Sequence, residues 1–209
     1  MEIEKLYESI KEEIDKKIDE YKEAFNYDNK DFFAEIAFCI LTPQSKALNA
    51  WKIIQTLKEN DLLFTADSDT LENYLNSIRF KKTKAKRLVS LREKLSINGS
   101  LEAKKIIFNG DDVFKIREWL VKNIDGFGYK EASHVLRNLG FGENIAILDR
   151  HILRNLLKLE VIDEIPKTLT PKKYMDIEEK MRKYSSKIDI SMDRLDLLFW
   201  YNEVNYLFK

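Results

Sequence analysis

The stretch "IDGFGYKEASHVLRNLGFGENIAILDRHI", residues 124–152, decides how the rest of the chain is read. Gly126 and Gly128 flank the aromatic Phe127, and Lys130 follows two residues later, in what the apolar spacing predicts to be the first turn of a helix over 129–139. Glycine permits the positive φ of a tight turn and lets the backbone approach another molecule closely. Helix stability does not explain the lysine, because the positive end of the backbone dipole disfavours a cation in a first turn. Preceded by the helical pattern "VFKIREWLVKN", the segment over about 113–139 reads as a helix-hairpin-helix. The amides of 126 to 130 are expected to point outward at a helix N-terminus, where they can hold a phosphate oxygen of DNA without reading its sequence. The plain alternative is an inter-helix turn with a glycine cap.

Asp149 stands at the start of the next predicted helix, from Arg150 to about Leu159. Aspartate there is a good N-cap, and a carboxylate fixed by backbone amides can also stabilise an oxocarbenium ion developing at a sugar. An amine such as Lys130 can supply the nucleophile of the same reaction.

Outward from this stretch, the chain of 209 residues is 44% hydrophobic and 11% aromatic, enough to bury a sizeable core. Six glycines and three prolines interrupt an apolar pattern that is helical nearly throughout, so the fold class is all-α. Helices are predicted over 2–26, from a cap at Asp31 to near Thr42-Pro43, along Ala47 to Leu57, and over about 69–77, 82–96 and 111–122. Two more follow, "PKKYMDIEEKMRKYS" and a last helix from near Ser191 that carries Leu195, Leu198, Phe199 and Trp200. Asn98-Gly99 and Asn109-Gly110 mark turns.

The single cysteine, Cys39, excludes an internal disulfide, a cysteine-ligated zinc site and an iron–sulfur cluster. With no run of about 18 apolar residues and a mixed-charge N-terminus, the expectation is a cytoplasmic protein with no membrane partner. Net charge is zero, yet "RFKKTKAKRLVSLREK", Arg79 to Lys94, holds eight basic residues against the single acid Glu93. Such a stripe can neutralise a few phosphates, with Lys82 and Lys86 as candidate contacts.

"GFGYKEASHVLRNLG" followed by "AILDRHILR" resembles the helix-hairpin-helix DNA glycosylase superfamily, and more narrowly the archaeal type of 8-oxoguanine DNA glycosylase/lyase. The resemblance runs from about Phe32 to the end and includes "IDEIPKTLTPKKY" and the terminal "LDLLFWY…FK". It implies a two-lobed helical fold with the active site in the cleft between lobes. It also implies a monomer acting on double-stranded DNA that contains a damaged base, with no metal and no cofactor. In that superfamily the lysine two residues after the second hairpin glycine is the nucleophile and the aspartate opening the helix after next is its electrostatic partner. These fall on Lys130 and Asp149, nineteen residues apart.

The implied reaction extrudes the lesion nucleotide, attacks C1′ with Lys130, releases the base, and cuts the strand by β-elimination from a Schiff base. The resemblance places Phe80 and Trp200 near the base pocket, and Lys209 at its closing tail. His134, one turn after Lys130, is a candidate on the same face. Gln44 lies in "LTPQSKA", which departs from the "LTAN" usual in the close family. It is more similar to the "LS-x-Q" segment of other superfamily members, where the glutamine enters the hole left by the flipped base. A glycosylase for another oxidised base shares the catalytic pair, and a non-catalytic DNA-binding module would keep the hairpin alone.

Overall fold

The computed structural model describes residues 2–209, which divide into two units, 26–135 and the combination of 2–25 with 136–209. Among the described residues there are twelve helices and one pair of two-residue strands. The helical reading of the sequence therefore holds almost everywhere.

The helix α1, Glu2–Ala24, repeats isoleucine and tyrosine at helical spacing. Tyr7, Ile10, Ile14, Ile18 and Tyr21 are all buried, while the acids and lysines between them face out. Each fully buried isoleucine such as Ile14 contributes roughly 2 kcal/mol.

In the unit 26–135, α2 (Asn29–Leu41) is buried continuously from Phe32 to Leu41, a run apolar except for Glu35. Its cap is Asp28, which accepts from the Asp31 amide at 2.8 Å, rather than Asp31 itself. Asp28 has the extended backbone a cap needs, and Asp31 falls in the first turn, where its charge complements the helix dipole. The helices α3 (Ala47–Glu59), α4 (Leu62–Thr65), α5 (Ser68–Tyr74) and α6 (Lys81–Lys94) follow.

Strands β1 (Ser96–Ile97) and β2 (Ser100–Leu101) pair across Asn98-Gly99, where both residues take positive φ, as in a primed hairpin turn. The sequence marked this turn but not the pairing, because two residues carry no period. Helices α7 (Ala103–Ile107) and α8 (Val113–Asn123) complete this part, with α2 packed against α3, α6 and α7.

The helix α9, Tyr129–Asn138, contains the boundary, between Val135 and Leu136. In the other unit, α10 (Arg150–Lys158), α11 (Pro171–Ile188) and α1 all pack against α12 (Met192–Val204). Gly140 has φ +86°, and a Cβ there would lie 2.8 Å from the Lys22 Cα, so the passage of α1 requires a residue without a side chain. Phe25 and Phe141 meet edge to face beside it, centroids 5.2 Å apart.

Candidate active site

The helices α8 and α9 are joined by polar contacts unusual for a simple turn. Arg117, buried, donates from Nη1 to Ser133 Oγ at 3.2 Å and lies 5.5 Å from the Tyr129 ring centroid. The Tyr129 hydroxyl donates to Glu118 Oε1 at 2.7 Å, and burial together with that carboxylate raises its pKa, keeping it a donor. Between the helices, Gly126 has φ +86°, and any side chain there would collide with the Arg87 guanidinium. Ser90 Oγ donates to Asp125 Oδ2 at 2.6 Å. Arg87 and Ser90 belong to α6, so the basic helix and the hairpin are neighbours.

Phe127 is buried and anchors the turn. Not all the hairpin amides are open to an anion, as the sequence suggested. The Phe127 amide bonds the Ile124 carbonyl at 3.1 Å, and the Gly128 amide donates to Glu131 Oε2 at 3.2 Å. Glu131 is the N3 half of a capping box, a signal present in "GYKE" and missed because Gly supplies no reciprocal side chain.

Lys130 is the second residue of α9, with its side chain 25% exposed and Nζ 4.0 Å from Glu131 Oε1. Asp149 caps α10 as expected. Its Oδ1 accepts from the His151 amide at 2.7 Å and the Ile152 amide at 2.9 Å. Both bonds fall on one oxygen, so Oδ2 lies outside the cap and can face a developing positive charge.

Beyond the cap, the His151 ring meets Trp200 edge to face at 5.4 Å, and Trp200 meets Tyr206 at 6.4 Å. His151 Nδ1 is 3.5 Å from Glu203 Oε2, and Lys158 Nζ is 3.6 Å from Glu203 Oε1. Burial pushes the Glu203 carboxyl up, but His151 and Lys158 outweigh it and hold it below the usual range. Thus Asp149, His151, Trp200 and Glu203 form one contiguous cluster in one unit. His151 and Glu203 were not singled out in the sequence, although His151 stands two residues after Asp149 and Glu203 one turn after Trp200.

The tail carrying Lys209 is tethered by Tyr21, whose hydroxyl donates to the Phe208 carbonyl at 3.0 Å. His134 is buried edge-on against Phe38, centroids 5.7 Å apart, in a core position of its unit. Phe80 is 55% exposed with φ +60° at the start of α6, and the Arg79 guanidinium lies 4.9 Å from its ring centroid. Gln44 is exposed with φ +56°. Within the basic stripe, Lys82 and Lys86 face solvent. Lys84 and Arg92 turn inward, Arg92 donating to the Ala66 carbonyl at 2.9 Å, so they are not phosphate contacts. No helix among the described residues is long and apolar enough to cross a membrane.

The helices α8 and α9, with the glycine turn between them, form a helix-hairpin-helix in an otherwise helical fold. Residues 14–190 match the family model described as 8-oxoguanine DNA glycosylase. The chain is 55% identical to an 8-oxoguanine DNA glycosylase/AP lyase of Fusobacterium nucleatum over 100% of its own length and 96% of that protein's. It is 40% identical to one from Methanocaldococcus jannaschii, over 99% and 97%. The crystal structure of the M. jannaschii 8-oxoguanine glycosylase/lyase with a 15mer DNA containing 8-oxoguanine superposes with a TM-score of 0.89 at 38% identity, covering 99% of this chain and 97% of that one. That of the Thermotoga maritima 8-oxoguanine DNA glycosylase gives 0.87 at 31%, covering 100% and 97%. The chain belongs to the 8-oxoguanine DNA glycosylase family.

Proposed function

We propose that the chain removes 8-oxoguanine from double-stranded DNA and cuts the strand at the resulting site, acting as a monomer in the cytoplasm without metal or cofactor. The observation that carries the reading is an Asp149 whose cap uses only Oδ1, in a member of this family that also has a partly exposed Lys130 directly after the hairpin.

The duplex is held through phosphates at the hairpin and at Lys82 and Lys86, and the lesion nucleotide is turned out of the stack while Gln44 enters the gap. The Lys130 Nζ lone pair forms a bond to C1′ while the N-glycosidic bond breaks, and Nζ then gives up a proton. The base leaves with the electron pair and takes up a proton. Positive charge builds on the sugar ring as this happens, and Asp149 Oδ2 opposes it. The ring opens to a Schiff base. Loss of a C2′ proton then drives out the 3′ phosphate by β-elimination.

Trp200 offers a face for the extruded base, with Lys209 closing behind it. Phe80 contributes a further stacking surface. His134 contributes by packing α9 against Phe38.

The test is a panel of duplexes, each with one modified base, scored separately for base release and nicking. The reading expects 8-oxoguanine to be released and its strand cut. Preference for another oxidised base would reassign the pocket, and binding with neither product would reduce the chain to a DNA-binding module.

A further inference from the structure

Lys84 is 2% exposed, an uncommon place for a cation, and its ammonium donates into one short segment. Nζ donates to the Leu41 carbonyl at 2.8 Å, the Pro43 carbonyl at 2.6 Å and Ser45 Oγ at 3.2 Å. Leu41 is the last residue of α2, so its carbonyl is one of those a helix end leaves without an intrahelical partner, at the negative end of the dipole.

The segment so held has a costly backbone. Thr42 is helical at φ −65°, ψ −37° directly before Pro43, a conformation the proline ring disfavours. The Ser45 amide bonds the Thr42 carbonyl at 3.0 Å, closing a turn with Pro43 second and Gln44 third. Gln44 is left-handed at φ +56°, where such a turn normally carries glycine. Two disfavoured residues so close together persist only when the surroundings determine them, and here the determinant is a buried charge. The outward product is an exposed glutamine side chain at the crest.

Ser45 has a second duty. Its Oγ also accepts from the Arg79 amide at 3.2 Å, next to Phe80, the other exposed left-handed residue of this region. The two projecting turns therefore share one hydroxyl, and that hydroxyl rests on Lys84.

We propose that Lys84 is a positioning residue for strand separation: from inside the unit 26–135 it fixes the turn of residues 42–45 so that Gln44 projects rigidly into the duplex. This rests on the reading of Gln44 as the residue that enters the gap. Burial, with the charges of Arg87 and Lys130 beside it, lowers the Lys84 pKa to about 8. A lowered pKa does not make it the reacting amine, because its protons are already committed to three acceptors and its access to solvent is closed, whereas Lys130 is open.

The test places 2-aminopurine next to 8-oxoguanine in a duplex and follows the fluorescence rise on unstacking, without waiting for chemistry. Lys84→Met keeps the volume and removes the charge. Gln44→Ala and Lys84→Met are each expected to slow or diminish unstacking on the order of tenfold to a hundredfold, the cost of a misplacement of about an ångström. The double variant is expected to fall no further than the worse single one. Wild-type unstacking in Lys84→Met, or a double variant whose loss is the product of the two, overturns the proposal.

If Lys84→Met does not fold, Ser45→Ala removes the shared hydroxyl with little change in volume. It is expected to reduce unstacking in the same direction, again without adding to Gln44→Ala, and wild-type behaviour counts against the proposal. Because unstacking is read before base release, its loss is separable from failure of the wild-type protein to excise 8-oxoguanine, which would overturn the functional reading instead.

Discussion

The Tyr21 hydroxyl donates to the main-chain carbonyl of Phe208 at 3.0 Å and in turn accepts from Arg137, which also lies 3.4 Å from Asp196. Tyr21, Arg137 and Asp196 are all buried. An otherwise irregular tail is thereby fixed one residue before Lys209.

Discrimination of 8-oxoguanine from guanine turns on the lesion's N7 hydrogen and C8 carbonyl, so a polar group placed to meet them rewards only the lesion. Deleting Lys209 is expected to impair 8-oxoguanine excision while cleavage at a pre-formed abasic site largely survives. Tyr21→Phe, which removes one hydroxyl, should move the ratio of these two activities in the same direction, by about tenfold. Equal ratios in wild type and both variants would take the tail out of recognition.

Capping and catalysis separate at Asp149. Asp149→Asn keeps an oxygen for the His151 and Ile152 amides and should cost at most about 1 kcal/mol, whereas base excision should fall about 10²- to 10³-fold with the charge gone. Thermal unfolding and single-turnover excision measured on one preparation decide this. A stable Asn variant with near-normal excision would leave Asp149 a cap only.

Affinity for DNA should fall steeply with salt. Reversing Lys82 and Lys86 together should lower the magnitude of the log–log slope by about two, one for each phosphate that is no longer neutralised. An unchanged slope would put these lysines away from the backbone.

Lys84 gives stability a pH dependence of definite sign. Its pKa is lowered from 10.5 to about 8 in the folded protein, so between those values the unfolded chain binds the extra proton. The penalty of a buried charge is complete below about 8 and is relieved as pH rises toward 10.5, so the Lys84 contribution makes the protein more stable with rising pH in that window. Denaturant unfolding at both ends of the window should show wild type gaining relative to Lys84→Met. An identical pH response in the two proteins would contradict this.

Helix positions were legible because their signals are local: the alternation of Ile and Tyr along α1, the cap at Asp149, the break at Gly140. The positions of Lys130 and Asp149, in the first turn of α9 and at the cap of α10, were legible for the same reason, since both depend only on neighbouring residues. What the sequence hid is set by partners far along the chain. Nothing in "MEIEKLYESIKEEIDKK" says that α1 packs on α12, nor in "KKTKAKR" that Lys84 turns inward while Lys82 and Lys86 stay out. The helix has little one-sided apolar pattern, so the charge pattern there looked like a single surface. Glu131 occupying the Gly128 amide was hidden by a capping box that has glycine at its head.

The central claim, that Lys130 is the nucleophile, is tested most directly by borohydride trapping on DNA containing 8-oxoguanine. Reduction of a Schiff base should link wild type covalently to the DNA, while Lys130→Gln should bind the same DNA and give no covalent product. Robust trapping of Lys130→Gln would contradict the account and place the reacting amine elsewhere.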